Sequence, residues 1–471
     1  MEQIGGRIMP NNHFRPRTAK SLATPARICA FETLKLAMDK SLFVSQAFDR
    51  VMEGKNLKPE EKAFSRLLSV GTTGTVGVLD ELINRVLSSP RDIKMDVRIA
   101  LRISTYELFF LKKSSHAAVD QGVELVRYVS SHATGLANYA LRRLSDLQIG
   151  FPFGDSEENF DVAIYEQGFP LWLGQRLKKD LGKRNALSIM KEANEPAPLY
   201  MMVNACRVDT KKTIELLHGG GIRLLPVPIL CGKPDFLSFV FANRSQAGDV
   251  AVDRLVQEGA LVMSDLSAQT VAQLALPDKE PRRFLEIGAG RGTKTLMLQT
   301  AARARYGKQM CLDTIEISPK KNHELTSRTE RAHVQVNKQY VLNATSLSSI
   351  EDDSYDAIFI DAPCSGVGTL RRHPEIRWRL KPEDVSSLAG IGLKMLREAS
   401  KKVSRGGRIT YATCTCFEEE NDKVIKRFLG SSEGSRFEIL PLTEKGRGFF
   451  KSPISGHGSD IHFAAVLTRV R

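Results

Sequence analysis

Two cysteine-containing segments of this chain carry residue types that could do covalent chemistry. One has the sequence DAPCSG at residues 361–366, and the other has the sequence YATCTC at residues 411–416. Each follows an apolar run with β propensity, and both lie downstream of a glycine-rich turn at residues 288–292. A cysteine is an available nucleophile because its thiolate reacts strongly even when little of the thiol is ionised near neutral pH. The chain therefore offers a nucleophile, an acidic group and a ligand-binding turn in one α/β region.

One reaction that needs all three features is methylation of carbon 5 of a cytosine. That carbon is not nucleophilic, but a thiolate that adds to C6 creates an enamine whose C5 can take a methyl group from a sulfonium. A base then removes the C5 proton and the cysteine leaves. The ring also needs a hydrogen-bonding or proton-donating group at N3 or N4 as the thiolate adds. Asp361 is the candidate because it ends an apolar run.

A cysteine at the end of a strand is more commonly a small buried hydrophobe. Pro363 and Gly366 favour the functional interpretation here, because they restrict the backbone and direct the neighbouring side chains outward. The seven cysteines of the chain form neither a disulfide ladder nor a pair of CxxC zinc motifs. The sequence therefore predicts free thiols in a reducing compartment and no metal site.

The sequence GAGRG at residues 288–292 closes a predicted strand and precedes a helix that begins near Thr293. Glycines there permit positive φ and close approach of a ligand, and the helix amides face whatever binds. A dinucleotide fingerprint needs its third glycine one residue later, and a P-loop needs glycine where Thr293 stands. A tight structural turn is the alternative. Glu316 ends the next strand and could accept hydrogen bonds from ribose hydroxyls, or be a surface carboxylate.

A basic and aromatic cluster follows the first cysteine segment and consists of Arg371, Arg372, His373, Arg377 and Trp378. Cations can position phosphates, and an aromatic face can stack on an unpaired base. The cluster therefore predicts RNA contacts, with an ordinary charged loop as the alternative. Attack on C6 requires the cytosine to leave any base stack, so the target is expected to be single-stranded or splayed out. His457, in a glycine-rich loop near the C-terminus, is expected to be structural.

The composition sets the broad class of the protein. A formal charge of +14 and a pI near 9.4 favour a polyanionic partner such as nucleic acid, with a merely basic surface as the alternative. No apolar run approaches the roughly 18 residues of a membrane span, and the N-terminus has no apolar core of a secretion signal. We therefore expect a cytoplasmic protein that does not contact membranes.

Hydrophobic patterning divides the 471 residues into several regions. Residues 1–20 are predicted to be a basic flexible arm, residues 21–148 a helical domain, residues 165–250 a small α+β domain and residues 255–471 an α/β domain. In the helical region one face is marked by Val97, Ala100, Leu101, Ser104 and Leu108. In the last region the predicted strands are 284–287, 311–317, 333–336, 357–360, 408–412 and 461–468. Strands separated by helices indicate a doubly wound, mainly parallel sheet whose ligands bind at the carboxyl ends.

The cysteine segments carry a family resemblance. DAPCSGVG at 361–368 with RRHPEIRW at 371–378 resembles the signature of the Sun/Fmu-type RNA cytosine-5 methyltransferases, and YATCT at 411–415 resembles their second cysteine motif. Residues 21–148 are similar to the NusB-like RNA-binding domain of the bacterial members. The resemblance implies an all-α NusB-like domain, a small α+β insert domain and a Rossmann-like class I methyltransferase domain in one monomeric chain.

The resemblance also implies roles for individual residues. Cys414 would be the covalent nucleophile, Cys364 would assist release of the methylated RNA, and Asp361 and Lys294 would contact the target base. S-adenosyl-L-methionine would be held by Gly288, Ala289, Gly290, Arg291, Gly292, Thr293, Lys294, Glu316, Asn343 and Asp361. The implied substrate is RNA, 16S ribosomal RNA foremost and transfer RNA as the alternative.

Several positions depart from the family pattern, which reads Asp-x-Cys-Ala-Ala-Pro-Gly-Gly-Lys at the glycine turn. Glu286, Gly288, Gly290, Arg291 and Thr293 replace five of those residues, and an asparagine at 343 stands where an aspartate is usual. One alternative function is therefore a NusB-like RNA-binding or ribosome-assembly factor whose methyltransferase activity is weak or lost. Another is methylation of an exocyclic amine, which needs no cysteine nucleophile.

Overall fold

The computed structural model describes residues 22–232, 238–442, 448–454, 456 and 458–471. The predicted arm at 1–20 and His457 lie outside the described residues. The chain divides into two compact units, Met1–Pro170 and Leu171–Arg471, and each is described by itself. Within the described residues, no helix combines the length and the apolar character that a membrane crossing requires.

The first unit is helical, as the sequence predicts. Its helices are α1 Pro25–Asp39, α2 Val44–Met52, α3 Pro59–Val86, α4 Met95–Phe109, α5 Ser115–Val129, α6 Thr134–Leu147 and α7 Phe160–Glu166. Helix α4 lies at the centre of the bundle, and all five residues of its predicted apolar face are buried. Its Glu107 is 1% exposed, and Arg27 of α1 compensates the buried charge with two hydrogen bonds of 2.8 and 2.6 Å.

The second unit begins with two helices and a small antiparallel sheet. These elements are α8 Leu171–Leu181, α9 Lys183–Glu192, β1 Tyr200–Val203, α10 Thr210–Gly219, β2 Leu224–Val227, β3 Ser238–Phe241, α11 Val250–Gln257 and β4 Leu261–Met263. The strand order is β2-β3-β1-β4. Strand β4 follows residue 255, where the sequence began the next domain, so this sheet takes a strand from beyond the predicted 165–250 range.

The rest of the second unit forms a larger sheet with helices between its strands. The elements are α12 Leu266–Ala275, β5 Phe284–Ile287, α13 Thr293–Tyr306, β6 Leu312–Ile315, α14 Pro319–Arg331, β7 Lys338–Tyr340, β8 Tyr355–Asp361, α15 Ile376–Arg379, α16 Pro382–Lys402, β9 Val403–Thr413, α17 Asp422–Leu429, β10 Phe437–Ile439, β11 Phe449–Lys451 and β12 Phe463–Arg469. The strand order is β10-β12-β9-β8-β5-β6-β7, and β11 also pairs with β12.

The central strands are buried on both faces. Every residue of β5 and β6 is buried, as expected for parallel strands covered by helices on both sides. One core contains Leu285, Ile358 and Phe463, and the other, which includes α12 and α13, contains Phe284 and Phe359. Successive residues of a strand thus alternate between the two cores.

The parallel strands β5, β6, β8 and β9 end at one edge of the sheet. The chain runs outward from β5 to β6 and β7 and then crosses to β8 on the other side of β5, which creates a topological switch point. Strand β12 is antiparallel to β9, so its first residues lie at the same edge as the carboxyl ends. This edge is where the motifs described above meet.

One predicted strand is wrong. Residues 333–336 form no strand, and β7 begins at Lys338 instead. His333 has φ of 53°, which ends α14 in a left-handed turn. The apolar residues Val334 and Val336 pack in a core from a loop, so their hydrophobicity reflected burial without strand pairing.

Candidate active site

The two cysteine segments meet at the carboxyl ends of β8 and β9. The Sγ atoms of Cys364 and Cys414 are 3.3 Å apart, and the backbone N–H of Cys414 donates to Cys364 Sγ at 3.2 Å. Both side chains are half-buried. The hydrogen bond with Cys414, reinforced by burial, raises the pKa of the Cys364 thiol above its usual value. Cys364 therefore keeps its proton more firmly than a free cysteine does.

A buried carboxylate joins the two cysteine loops. Glu420 is 1% exposed and accepts hydrogen bonds from the backbone N–H and the hydroxyl of Ser365, both at 2.6 Å. The hydroxyls of Ser365 and Thr415 are 2.9 Å apart, and Asn421 donates to the carbonyl of Thr415 at 2.9 Å. Burial raises the pKa of Glu420. This network fixes the distance between the residues that follow the two thiols.

A glycine without space for a side chain lies between the two loops and the last strand. The N–H of Gly368 donates to the carbonyl of Cys414 at 3.0 Å, and its own carbonyl accepts from the N–H of Ile461 at 2.9 Å. A Cβ atom at this position would lie 2.0 Å from the Ile461 carbonyl oxygen. The close contact makes Gly368 a bridge between Cys414 and the start of β12.

Lys294 and Asp361 form an ion pair beside the thiols, with Nζ 2.8 Å from Oδ2. Lys294 lies in the first turn of α13, and its side chain is 17% exposed. Burial alone would lower the pKa of Lys294, but the Asp361 carboxylate outweighs it, and the pKa is raised. Cys414 and Glu286 are also within electrostatic range of this ammonium group.

The glycine turn is compact and open on one side. Gly288, Gly290 and Gly292 have φ of 83°, 58° and 80°. A Cβ at Gly288 would lie 2.5 Å from the carbonyl oxygen of Asp361, which explains glycine there. At Gly290 the nearest atom to such a Cβ would be 3.9 Å away, so this residue faces open space that a ligand can approach.

Glu316 closes the turn from the neighbouring strand. One carboxylate oxygen accepts from the N–H of Gly290 and the other from the N–H of Ser318, each at 2.9 Å. Glu316 is 5% exposed. Each oxygen has a second lone pair, so the carboxylate can both hold the turn and accept a hydroxyl donor from a ligand.

Two residues that depart from the family pattern have defined partners. Glu286 is fully buried in β5, where Thr295 donates to it at 2.7 Å. Burial raises the pKa of Glu286 to about 8, so it is largely neutral at pH 7. Arg291 points its guanidinium to Glu324 of α14 at 2.7 Å, which offsets the added charge. The departures therefore leave the turn intact.

The remaining positions predicted for the cofactor lie at the same sheet edge. Ala289 is 5% exposed within the turn, and Thr293 accepts a hydrogen bond of 2.9 Å from Arg328. Asn343 follows β7 and is exposed, and its Oδ1 accepts from the N–H of Thr345 at 3.0 Å. This hydrogen bond shapes the loop in which Asn343 presents its amide.

The arginines of the basic cluster have partners inside the protein. Arg371 donates to the carbonyl of Glu192, Arg372 is bound between Asp265 and Asp460, and Arg377 donates to the carbonyl of Ala193 and the side chain of Asn194. Arg377 is 1% exposed. These contacts hold the loop after Cys364 against α9 and the C-terminal loop. The RNA contacts of these arginines stay a prediction.

The other two members of the cluster are also partly buried. Burial, reinforced by the charge of Arg372, lowers the pKa of His373 to about 4, so it is neutral at physiological pH. Trp378 lies half-buried in α15. RNA contact by these two side chains stays a prediction.

Sequence reasoning missed Glu420 as the link between the loops and His462 at the head of β12. His462 is 4% exposed and lies within electrostatic range of Lys294 and Asp361. The signal that could have found it is the strand predicted at 461–468, whose antiparallel pairing with β9 brings its first residues to the cysteine edge.

Comparison with known proteins identifies three segments. Residues 272–466 match the family model described as 16S rRNA methyltransferase RsmB/F, residues 24–146 match the NusB family, and residues 169–231 match the ferredoxin-like domain of RsmF/B-like methyltransferases. These segments give the three-domain architecture expected from the sequence. They occur in the predicted order along the chain.

Curated relatives have the same extent as this chain. The Pasteurella multocida ribosomal RNA small subunit methyltransferase B is 27% identical over 399 residues, which cover 83% of each chain. The Escherichia coli protein of the same name is 26% identical over 410 residues, covering 84% of this chain and 91% of the relative. Among solved structures, that of PH0851 shares the fold with a TM-score of 0.73 and 19% identity, and covers 95% of this chain and 100% of its own.

Proposed function

We propose that this chain, whose residues 272–466 match the family model described as 16S rRNA methyltransferase RsmB/F, transfers a methyl group from S-adenosyl-L-methionine to carbon 5 of a cytosine in small-subunit ribosomal RNA. The observation that carries the cytosine C5 assignment is the pair of thiols 3.3 Å apart beside the Lys294–Asp361 ion pair. Methylation of an exocyclic amine needs no thiol. A substrate in ribosomal RNA agrees with the cytoplasmic location expected from the sequence.

The surroundings of the two thiols support different roles for them. Cys414 lies within electrostatic range of the Lys294 ammonium, and its sulfur would add to C6 of the cytosine. Cys364 has a raised pKa and lies against Cys414. A thiol that keeps its proton is suited to donate it to the Cys414 sulfur when that sulfur leaves C6.

Asp361 is placed to hold the ring while the thiolate adds. Its carboxylate ends β8 beside the loop that carries Cys364, and Lys294 binds one of its oxygens. The second oxygen can accept a hydrogen bond from the N4 amine of cytosine, which orients C6 toward the sulfur. Lys294 can in turn donate to a ring acceptor, which stabilises charge that develops as the C6–S bond forms.

The glycine turn fits the proposed cofactor. Gly290 faces open space, and Glu316 retains lone pairs for ribose hydroxyls after bonding the turn. Asp361 and Asn343 lie at the same sheet edge as the turn. When bound, S-adenosyl-L-methionine supplies an electrophilic methyl group. The intact hydrogen bond between Gly290 and Glu316 argues against a decayed turn and hence against a pure assembly factor.

Two cysteine substitutions test the assignment. With 16S ribosomal RNA and S-adenosyl-L-methionine, Cys364→Ala is expected to accumulate a covalent protein–RNA adduct resistant to denaturing electrophoresis, whereas Cys414→Ala gives none. The reverse pattern would exchange the two roles. Full activity of Cys414→Ser would instead favour methylation of an exocyclic amine.

Two further measurements address the substrate and the cofactor. Bisulfite sequencing of cellular RNA with and without the gene should reveal a cytosine that loses protection when the gene is deleted. Unchanged protection at every cytosine would refute the C5 assignment. Calorimetry should detect binding of S-adenosyl-L-methionine, and no heat at millimolar ligand would favour the assembly factor.

A further inference from the structure

The backbone of His462 occupies a fixed position beside the cysteine loops. Its backbone N–H donates to the hydroxyl of Ser452 at 2.9 Å, and its backbone carbonyl accepts from the backbone N–H of Ser452 at 2.9 Å. The preceding residue, Ile461, is bonded to Gly368, which is itself bonded to Cys414. The backbone of His462 is therefore one residue from a hydrogen-bonded bridge to the nucleophile.

The side chain of His462 lies on the same side of the sheet as the catalytic groups. In β12, Phe463, Ala465 and Leu467 belong to one core, whereas Ala464 belongs to the core that contains α12 and α13. Residues two apart in a strand share a face, so His462 faces α12 and α13 together with Ala464. Lys294 lies in α13, and the continued register of Phe463 with Thr413 places His462 across from Cys414.

The imidazole has a buried lone pair or proton that no neighbour satisfies. His462 is 4% exposed, and its Nδ1 has no hydrogen-bond partner within the described part of the chain. An unsatisfied buried polar atom destabilises the folded protein and calls for a functional or structural reason.

Charged groups surround this imidazole from four parts of the fold. They are Lys294 from α13, Asp361 from β8, Asp265 before α12 and Arg372 after β8. Burial, followed by the charge of Lys294, lowers the pKa of His462 to about 4. The imidazole is consequently neutral at physiological pH, and in the tautomer with hydrogen on Nε2 its Nδ1 is a proton acceptor.

The other ionisable groups around the thiols are already engaged. Asp361 is paired with Lys294, Glu286 is buried against Thr295, and Cys364 is a thiol held by Cys414. The proposed reaction nevertheless needs a base, because C5 carries both the new methyl group and its original hydrogen after methyl transfer. The unpartnered Nδ1 of His462, whose imidazole lies within electrostatic range of Lys294 and Asp361, meets that need.

We propose that His462 accepts the C5 proton of the methylated cytosine adduct. The C5–H bond breaks, its electron pair forms the C5=C6 double bond, the C6–S bond breaks, and its electron pair leaves with the Cys414 sulfur. The proton moves to Nδ1 of His462 and afterwards to solvent. This assignment rests on the proposed cytosine C5 chemistry, and the experiment below separates the two.

The test uses the full chain, 16S ribosomal RNA transcribed with tritium at C5 of cytosine, and a second transcript that contains 5-fluorocytosine. Wild-type protein should release tritium with each methylation, and no release would refute the proposed function irrespective of His462. His462→Gln should slow tritium release about 100-fold or more, since general base catalysis contributes roughly 10²–10⁴.

The fluorinated transcript distinguishes a base from a structural residue. Fluorine at C5 cannot be removed as a proton, so adduct formation on this RNA needs the nucleophile and the methyl donor but not the base. His462→Gln should trap it at nearly the wild-type rate. Equal losses of fluorinated adduct and of tritium release would overturn the proposal and assign His462 a structural or base-positioning role.

Two controls accompany this experiment. His462→Phe has no acceptor and should match His462→Gln in tritium release, whereas faster release by the phenylalanine variant would contradict the proposal. His323→Gln changes an exposed histidine of α14 and should behave as wild type in both assays.

Discussion

Replacement of Glu286 by glutamine should change how the stability of the second unit depends on pH. Glu286 is fully buried, one oxygen accepts from Thr295, and the other has no hydrogen-bond partner among the described residues. Burial raises its pKa from 4.5 to about 8. The folded protein thus holds this proton more tightly than the unfolded chain does.

The sign of the effect follows from proton linkage. Where the folded state binds more protons, the free energy of unfolding decreases as the pH rises. Glu286 should therefore contribute a loss of stability that begins near its unfolded pKa of 4.5 and is complete above about 8. Between pH 5 and about pH 8 the unfolded chain has lost this proton while the folded protein still holds it, which spans about three pH units. At about 1.4 kcal/mol per unit, the free energy of unfolding of the wild type should fall by about 4 kcal/mol relative to that of Glu286→Gln between pH 5 and pH 9. Water that enters on ionisation would reduce this figure, so it is an upper limit.

The measurement is urea unfolding of both proteins at pH 5, 7 and 9, followed by tryptophan fluorescence. Trp172 and Trp378 both belong to the second unit, so the signal reports its unfolding. Glu438→Gln, at an exposed carboxylate of β10, is the matched control and should not alter the pH dependence. If the stability difference between wild type and Glu286→Gln were the same at pH 5 and pH 9, the reasoning about the buried proton would be refuted.

Three further substitutions test the loops around the thiols. Gly368→Ala should destabilise the protein by about 2 kcal/mol in thermal unfolding and abolish most activity, because the added Cβ has no space. The control is Gly390→Ala in α16, where an added Cβ would have no atom within 4 Å, and it should be neutral or stabilising. Arg377→Gln should lower the melting temperature because it breaks the hydrogen bonds to Ala193 and Asn194, and it should leave the salt dependence of RNA affinity unchanged. A shallower dependence of log affinity on log salt concentration in this variant would instead indicate that Arg377 contacts a phosphate. Glu420→Ala should leave the buried N–H of Ser365 unpaired, which should lower the free energy of unfolding by about 1–3 kcal/mol and slow adduct formation. Adduct formation at the wild-type rate would contradict the role of Glu420 in spacing the two thiols.

The parts of the fold that were predictable are those encoded by local pattern. The apolar face of α4 repeats with helical spacing, and β5, β6 and β8 are apolar runs that end in polar residues at the sheet edge. Because parallel strands end at one edge, the glycine turn, Glu316 and Asp361 had to approach one another. Their common position at this edge was expected from the sequence, whereas the ion pair between Lys294 and Asp361 was not predicted.

The internal partners of the basic cluster could not be predicted, because they are distant in the sequence. Arg371, Arg372 and Arg377 have the composition of an RNA-binding loop, but their acceptors lie 179, 107 and 183 residues away in the sequence. No local pattern distinguishes an arginine that binds phosphate from one that satisfies buried carbonyls. The only difference is burial, which is set by how α9 packs on the loop.

The position of His462 has a topological explanation with a chemical consequence. In an all-parallel sheet, the start of a strand lies at the edge opposite to the ligand, so residues there cannot reach the site. Strand β12 runs antiparallel to β9, and its first residues therefore lie beside Cys414. A reaction that needs both a nucleophile and a separate proton acceptor can place them on adjacent strands, one at a carboxyl end and one at an amino end. The antiparallel strand β12 thus supplies the larger sheet with a side chain that the parallel strands alone could not bring to the cysteine edge.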